Sequence, residues 1–320
     1  MRVAELINQY FGEDDIMSKN IINIGVDIGN LTSIAISNNG SCICESRIKK
    51  CEKGLDDFSQ NQKFTIDDEG YLIGEGKYEN ELLKYKKDNY LILLYYCIAN
   101  ATKDTENNIN LVTCCPVNQY KKKDEMEDYI KKNNKKTIII NGIKRSIVIE
   151  NVTILPESYS IKSIQGIMNK LNKNVDTMVV DIGGNTCDIT VYDNKMQLKD
   201  GFSIRLGLFN LYNSCREYLN LTYDLSLSLE QTKRIFDNEE SLLVGDFKYK
   251  EELVKKFIVN LVNEIKGQTN NIKNSNILII GGGAKIISPT MKKIYQQTIS
   301  SEDITLQAQG LLNIANKLYK

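Results

Sequence analysis

The chain has 320 residues, 42% of them hydrophobic, which is enough for about two domains with cores of their own. Lys+Arg and Asp+Glu number 41 each, so no net charge draws the chain to nucleic acid or a membrane surface, and any DNA contact is expected to run through an adaptor. Histidine is absent, which excludes Ser-His triads, histidine bases and histidine metal sites and leaves hydrolysis to carboxylates, hydroxyls, backbone dipoles and a bound metal.

Residues 1–18 place Val3, Leu6, Ile7, Tyr10 and Phe11 on one helical face with acidic residues around them. The expectation is an N-terminal extension, either disordered or docked on a neighbour or on its own domain, and too acidic to bind anionic lipid. Residues 22–37, INIGVDIGNLTSIAIS, read as a strand ending at Asp27, a turn on Gly29-Asn30 and a second strand. A third strand at 41–48 follows the tight turn Asn38-Asn39-Gly40. Residues 51–62 are loop-like, and 64–76 form a further hairpin. Then come an apolar helix at 89–101, a buried strand at 110–117 and a charged helix with a solvated face at 121–133. A hairpin follows at 136–140 and 143–149 around Asn141-Gly142. Residues 152–158, VTILPES, give a strand, a proline and Glu157 at the start of a helix predicted to run to about Leu171 as the crossover between halves.

The second half opens on residues 178–193, MVVDIGGNTCDITVYD, a strand ending in Asp181, a Gly183-Gly184 turn and a second strand. Helices are predicted at 205–220, 228–236 and 249–267, then a glycine-ended strand at 277–284, ILIIGGGA, a short helix at 289–296 and a last helix at 306–319 packed back on the first half. Strands and helices alternate in each half, which predicts an α/β architecture.

A strand that ends in Asp and turns on glycine brings backbone N–H groups close to an anion, and the carboxylate can hold a metal or its water. Two such hairpins, about 150 residues apart, imply a duplicated domain with a ligand between the halves. On these hairpins and the Gly281–Gly283 turn the chain resembles the actin superfamily of ATPases, and within it the ParM-type plasmid-partition actins. The resemblance runs from about Ile21 to the C-terminus. It implies a two-lobed actin-like, ribonuclease-H-like fold with a nucleotide cleft. The lobes would be residues 20–157 with 300–320, and 158–299, with 1–19 as an extension.

The resemblance also implies roles. Asp27 and Asp181 would hold Mg²⁺ through water, and Glu157 would orient the attacking water. Gly29, Asn30 and Leu31 would cradle one side of the phosphates, and Gly183, Gly184 and Asn185 the other, with the Thr32 and Thr186 hydroxyls adding hydrogen bonds. Gly281, Gly282 and Gly283 would admit the adenosine side of ATP, with GTP as the alternative nucleotide. Glu230 and Lys233, followed by Arg234 on the same helical face, resemble the adenosine-contacting helix of DnaK-type chaperones. Two positions depart from the pattern. Ile34 stands where actin-type hairpins often carry a phosphate-contacting lysine, and Cys114-Cys115-Pro116 replaces Gly-Leu-Pro.

The chain is too short for the peptide-binding domain of a chaperone. The resemblance therefore implies a filament-forming ATPase whose turnover moves plasmid DNA through a centromere-binding adaptor. An MreB-type cytoskeletal actin and a sugar-kinase-like phosphotransferase are the alternatives. The hinge is expected at 157–163 and just before Leu306. Eight scattered cysteines without a CxxC pair read as reduced, mostly buried thiols rather than a zinc or redox site. No apolar run approaches the ~20 residues of a membrane span, and no signal peptide is evident, so the expectation is a cytoplasmic protein with no membrane contact.

Overall fold

The computed structural model describes residues 21–52, 62–79, 81, 83–237, 250–269 and 272–320. The predicted extension at 1–18 and most of the loop at 51–62 lie outside them.

Two β-sheets organise the chain. The first holds β1 (Ile21–Ile28), β2 (Thr32–Ser37), β3 (Ser41–Glu45), β4 (Ile48–Lys50), β5 (Lys63–Ile66), β6 (Glu69–Ile73), β7 (Glu106–Cys115), β8 (Lys135–Ile140) and β9 (Ile143–Pro156), in the order β3-β2-β1-β7-β9-β8-β5-β6-β4. Helices α1 (Tyr90–Thr102) and α2 (Lys123–Lys132) belong to this half. β1, β7 and β9 run parallel at its centre, where Ile24, Val26, Leu111 and Ile109 are buried.

The second sheet holds β10 (Thr177–Ile182), β11 (Cys187–Tyr192), β12 (Leu198–Ile204), β13 (Asn276–Ile280) and β14 (Thr298–Ser300), in the order β12-β11-β10-β13-β14. Around it stand α3 (Gln165–Met168), α4 (Leu208–Tyr223), α5 (Leu229–Phe236), α6 (Lys250–Gln268) and α7 (Ala284–Ile294). The apolar faces of α4 to α7 close a separate core over Met178, Ile189, Phe236, Ile258 and Ile277, while Ile167 of α3 packs in a smaller cluster with Val179 and Leu278.

Several expectations needed correction. The single strand predicted at 41–48 is broken at Ser46, whose N–H donates to the Leu31 carbonyl at 2.9 Å, while β4 goes on to pair with β6. The strands predicted at 143–149 and 152–158 are one 14-residue strand, β9, with a register shift opposite Ile109/Asn110. The crossover helix from Glu157 to about Leu171 is replaced by a 3₁₀ turn at Tyr159–Ser163 and the single turn of α3. Ser158 adopts φ 67°, a left-handed conformation that cannot enter a helix, and its N–H is taken by Gln307 Oε1 at 2.8 Å. α7 begins at Ala284, five residues ahead of the predicted Pro289, because Gly281 and Gly283 carbonyls accept from Ala284 and Ile287 at 3.1 Å. β12 and β14 were not foreseen, the first because LKDGFSI is largely polar and the second because it has three residues.

The last helix, α8 (Leu306–Leu318), packs its backbone directly on β1 and on the 3₁₀ turn. Two glycines permit this. A Cβ at Gly25 would lie 2.3 Å from Ala308 O and Leu312 N, and one at Gly310 would lie 2.6 Å from Ser160 O. Gly25→Ala is therefore expected to cost about 3 kcal/mol, since backbone cannot yield as a side-chain tip can. Urea midpoints measure it, with Gly166→Ala, which meets nothing within 4 Å, as the neutral control. Among the described residues no helix is long and apolar enough to cross a membrane.

Candidate active site

The two hairpins are built alike. Asp27 is the penultimate residue of β1 and Asp181 the penultimate residue of β10. In each turn the first glycine closes the loop with the same bond, Gly29 N–H to Thr32 O at 3.1 Å and Gly183 N–H to Thr186 O at 3.0 Å. In each hairpin the aspartate pairs with the residue seven further on, Asp27 with Ile34 and Asp181 with Asp188. The turns meet face to face, since a Cβ on Gly184 would lie 3.0 Å from Leu31 Cγ and 3.2 Å from Asn30 Cβ. The start of α4 fixes the second turn from behind, Leu208 N–H reaching Gly183 O at 3.0 Å and Phe209 N–H reaching Gly184 O at 2.9 Å.

Asp27, Gly29, Asn30, Glu157, Asp181, Gly183, Gly184, Asn185 and Thr186 line one open cleft of about 890 Å³. Leu31, Thr32, Gly281 and Gly282 line an adjoining hollow of about 600 Å³, which shares Asp27, Asp181 and the turn glycines with the first. Gly281 has φ 83°, and a Cβ there would lie 2.3 Å from Asp181 Oδ1, so only glycine lets this turn reach the aspartate. Gly283 donates to Ile182 O at 3.0 Å and caps α7. Glu230 and Lys233 are not among the residues lining either space. Lys233 pairs with Asp237 at 3.1 Å, and a nucleotide contact would require it to leave that partner.

Four more residues meet in the cleft that the sequence did not single out. Lys84, on the 3₁₀ turn Lys84–Lys86, puts Nζ 2.9 Å from Asp27 Oδ1 and 3.0 Å from Glu157 Oε1, with its side chain only 5% exposed. Gln307 Nε2 donates to Asp27 Oδ2 at 3.3 Å. Lys87 Nζ contacts Asn30 Oδ1. Asp188 is buried on β11 and accepts from Thr186 Oγ1 at 2.9 Å and from Ser203 Oγ. Of the two departures, Cys114 donates its S–H to Asp27 Oδ1 at 3.4 Å, and Cys115 O accepts the Glu157 N–H at 2.8 Å.

The Lys84 ammonium thus faces four carboxyl groups, and burial decides how they share it. Burial alone would raise Asp27. The Lys84 charge and hydrogen bonds from Lys84, Cys114 and Gln307 hold it below its ordinary value. The other three go up. Burial pushes Glu157 well above its usual range against the pull of Lys84, and burial raises Asp188 despite its hydroxyl donors. Burial, then the charge of Asp27, lifts Asp181 to about 8. Lys84 itself stays charged because the Asp27 carboxylate, by its charge and its hydrogen bond, outweighs the burial that would lower it. Burial and the neighbouring Lys84 charge bring Lys87 down to about 8.

A carboxyl that keeps a proton near neutral pH beside an ionised one is a place where a hard cation can replace that proton. The oxygen-rich donor set of Asp27, Asp181, Asp188 and Glu157 fits Mg²⁺ with water. The two glycine turns fit a polyphosphate.

Residues 25–159 match the family of N-terminal domains of actin-like proteins, and residues 179–293 match the C-terminal domain of MreB-like archaeal actin homologues. No curated protein matches in sequence. Among solved structures, a 15-stranded ParM filament from Clostridium botulinum shares 20% identity over 93% of this chain and 99% of its own, with a TM-score of 0.77. The archaeal actin homologue Ta0583, in complex with ADP, shares 12% identity over 93% and 99%, with a TM-score of 0.78. The Alp12 filament shares 22% identity over 94% and 100%, with a TM-score of 0.68.

Proposed function

The chain belongs to the actin-like proteins, and on that premise we propose that it is an ATPase that binds ATP with Mg²⁺ in the cleft and assembles into dynamic filaments. The observation that carries this reading is the pair of aspartate-tipped glycine turns, closed by the same hydrogen bond and in contact across one cleft.

Phosphoryl transfer asks the protein mainly for positioning and for charge opposite the phosphate oxygens. The N–H groups of the two turns would cradle the phosphates from both sides, with adenosine toward Gly281–Gly283. Asp27 and Asp181 would hold Mg²⁺ through water, where it would neutralise phosphate charge. Lys84 would supply the cation that Ile34 does not. Glu157, held by Lys84 and hydrogen-bonded to Asp188, would orient the attacking water and, once its own proton has been lost as the cation binds, would accept the water's proton and pass it on to solvent. GTP is the alternative nucleotide, to be separated by competition.

Residues 20–157 with 300–320 would move as one lobe and 158–299 as the other. They would hinge at the 3₁₀ turn after Ser158 and just before α8, where few dihedrals need to change. Nucleotide would close the lobes and favour polymerisation, and phosphate loss would release subunits. Two of the similar structures are filaments, a ParM and Alp12. By analogy with ParM proteins, the filament would act in the cytoplasm on plasmid DNA through a centromere-binding adaptor.

Light scattering tests the assembly. It should rise with Mg-ATP and decay as phosphate appears, and a flat trace at high protein concentration would count against a filament. Glu157→Gln should slow phosphate release about 10²–10³-fold while scattering still rises. Wild-type hydrolysis in that variant would remove Glu157 from its role.

A further inference from the structure

A second chemical cluster lies away from the cleft, between β3 and α1. Successive strand residues face opposite sides, so Cys42 and Cys44 share the face of β3 that α1 covers, while Ile43 points out and is 52% exposed. From α1, Cys97 meets them. The three sulfur atoms all lie within 4.8 Å of one another, and Cys44 and Cys97 are 3.6 Å apart. Cys42 and Cys97 are buried, and Cys44 is partly open, which leaves a way in from solvent.

Three thiolates around one ion at a metal–sulfur distance of about 2.3 Å sit about 4 Å from one another. The observed triangle needs only small rotamer shifts to reach that. Among the described residues no histidine or carboxylate joins the group, and the chain contains no histidine at all. A donor set of three sulfurs and nothing hard suits a soft cation content with three ligands. It suits Zn²⁺ less well, because a tetrahedral site would need a fourth ligand from solvent.

We propose that Cys42, Cys44 and Cys97 form a trigonal thiolate site for a soft monovalent cation of the Cu(I) class. Binding exchanges thiol protons for metal–sulfur bonds, the protons go to solvent, and no electron is transferred. The site would brace the strand that supports the first phosphate turn. Ser33 pairs with Cys44 across β2 and β3, the Ser33 and Ser46 hydroxyls are 2.8 Å apart, and Ser46 N–H holds Leu31 O.

The full chain, reduced and kept free of oxygen, is titrated with Cu(I) against a chromophoric Cu(I) chelator. One ion per chain is expected, with three copper–sulfur bonds in X-ray absorption. Cys97→Ser and the half-buried Cys44→Ser should each weaken retention about a hundredfold, and Cys215→Ser, in the other half, should leave it unchanged. Because Cys44 is partly exposed, its variant keeps the test valid if Cys97→Ser fails to fold. Stoichiometry unchanged in both variants overturns the site. So does a chain that takes up no Cu(I), whether it retains Zn²⁺ instead or forms a Cys44–Cys97 disulfide on mild oxidation.

Discussion

Lys84→Ala is expected to lose ATP hydrolysis by about 10²–10³-fold and to unfold far more easily in metal-free buffer than with Mg-nucleotide present. Lys84 is 4% exposed and touches both Asp27 and Glu157. Truncating it leaves Asp27 ionised and unpaired, 3.4 Å from Cys114 Sγ and facing three further carboxyls. Removing one partner of a buried pair costs about 3–5 kcal/mol, part of which the protein recovers by taking up a proton at Asp27. A divalent cation between the aspartates would supply much of the lost charge, so Mg-nucleotide should rescue stability without rescuing the rate. Lys84→Met, which keeps the length of the side chain, separates charge from packing and should behave like the alanine variant. Single-turnover hydrolysis and urea unfolding, each with and without Mg-nucleotide, measure the two effects. Hydrolysis within threefold of wild type would make Lys84 a structural counter-ion and nothing more.

That Lys84 could not be seen in the sequence has a physical reason. Its partners Asp27 and Glu157 lie 57 and 73 residues away along the chain, and ELLKYKKD has the look of a solvated charged loop. Gln307 reaches Asp27 across 280 residues, which no local pattern reveals. What was legible was whatever local chemistry dictates. The Asp-Gly turns, the glycine before α7 and the start of α5 were readable because each depends on neighbours in sequence. Ser228 and Gln231, for instance, form a reciprocal capping box. Asp188 stood in between, since its offset from Asp181 was in plain view but β11 otherwise reads as buried apolar strand. The crossover helix failed because tertiary structure overruled propensity. Gln307, arriving from the C-terminal helix, takes the Ser158 N–H, and the chain turns left-handed at the point where a helix was expected.

Asp181 gives the protein a stability that depends on pH in an unusual direction. Its carboxyl is raised from 3.8 to about 8 by burial and by the charge of Asp27. At pH 6 the unfolded chain has released this proton and the folded chain has kept it, so folding takes up a proton. Stability in metal-free buffer is therefore greatest below about pH 4 as far as this group is concerned, falls as the pH rises to about 8, and is flat beyond. Glu157 and Asp188, also raised by burial, act in the same sense. Asp27 is lowered and acts oppositely, but its contribution is lost only below its ordinary 3.8, outside this window. Lys84 is raised above 10.5 and titrates beyond the other end. One linked proton would give a slope of up to about 1.4 kcal/mol per pH unit. Asp181 is partly open to solvent, and screening there would narrow the pH window over which the slope holds rather than lower the slope itself. Urea midpoints from pH 5 to 9 should show the decline in the wild type and a shallower profile in Asp181→Asn, which should be the more stable of the two at pH 8. The same proton must leave when a cation binds, so calorimetry of Mg-ATP binding at pH 7, in buffers of different ionisation enthalpy, should report about one proton released by the wild type and less by the variant. A wild-type profile without slope between pH 5 and 8 would mean that Asp181 titrates as it would in water, and the two turns could not then be closing a cleft around it.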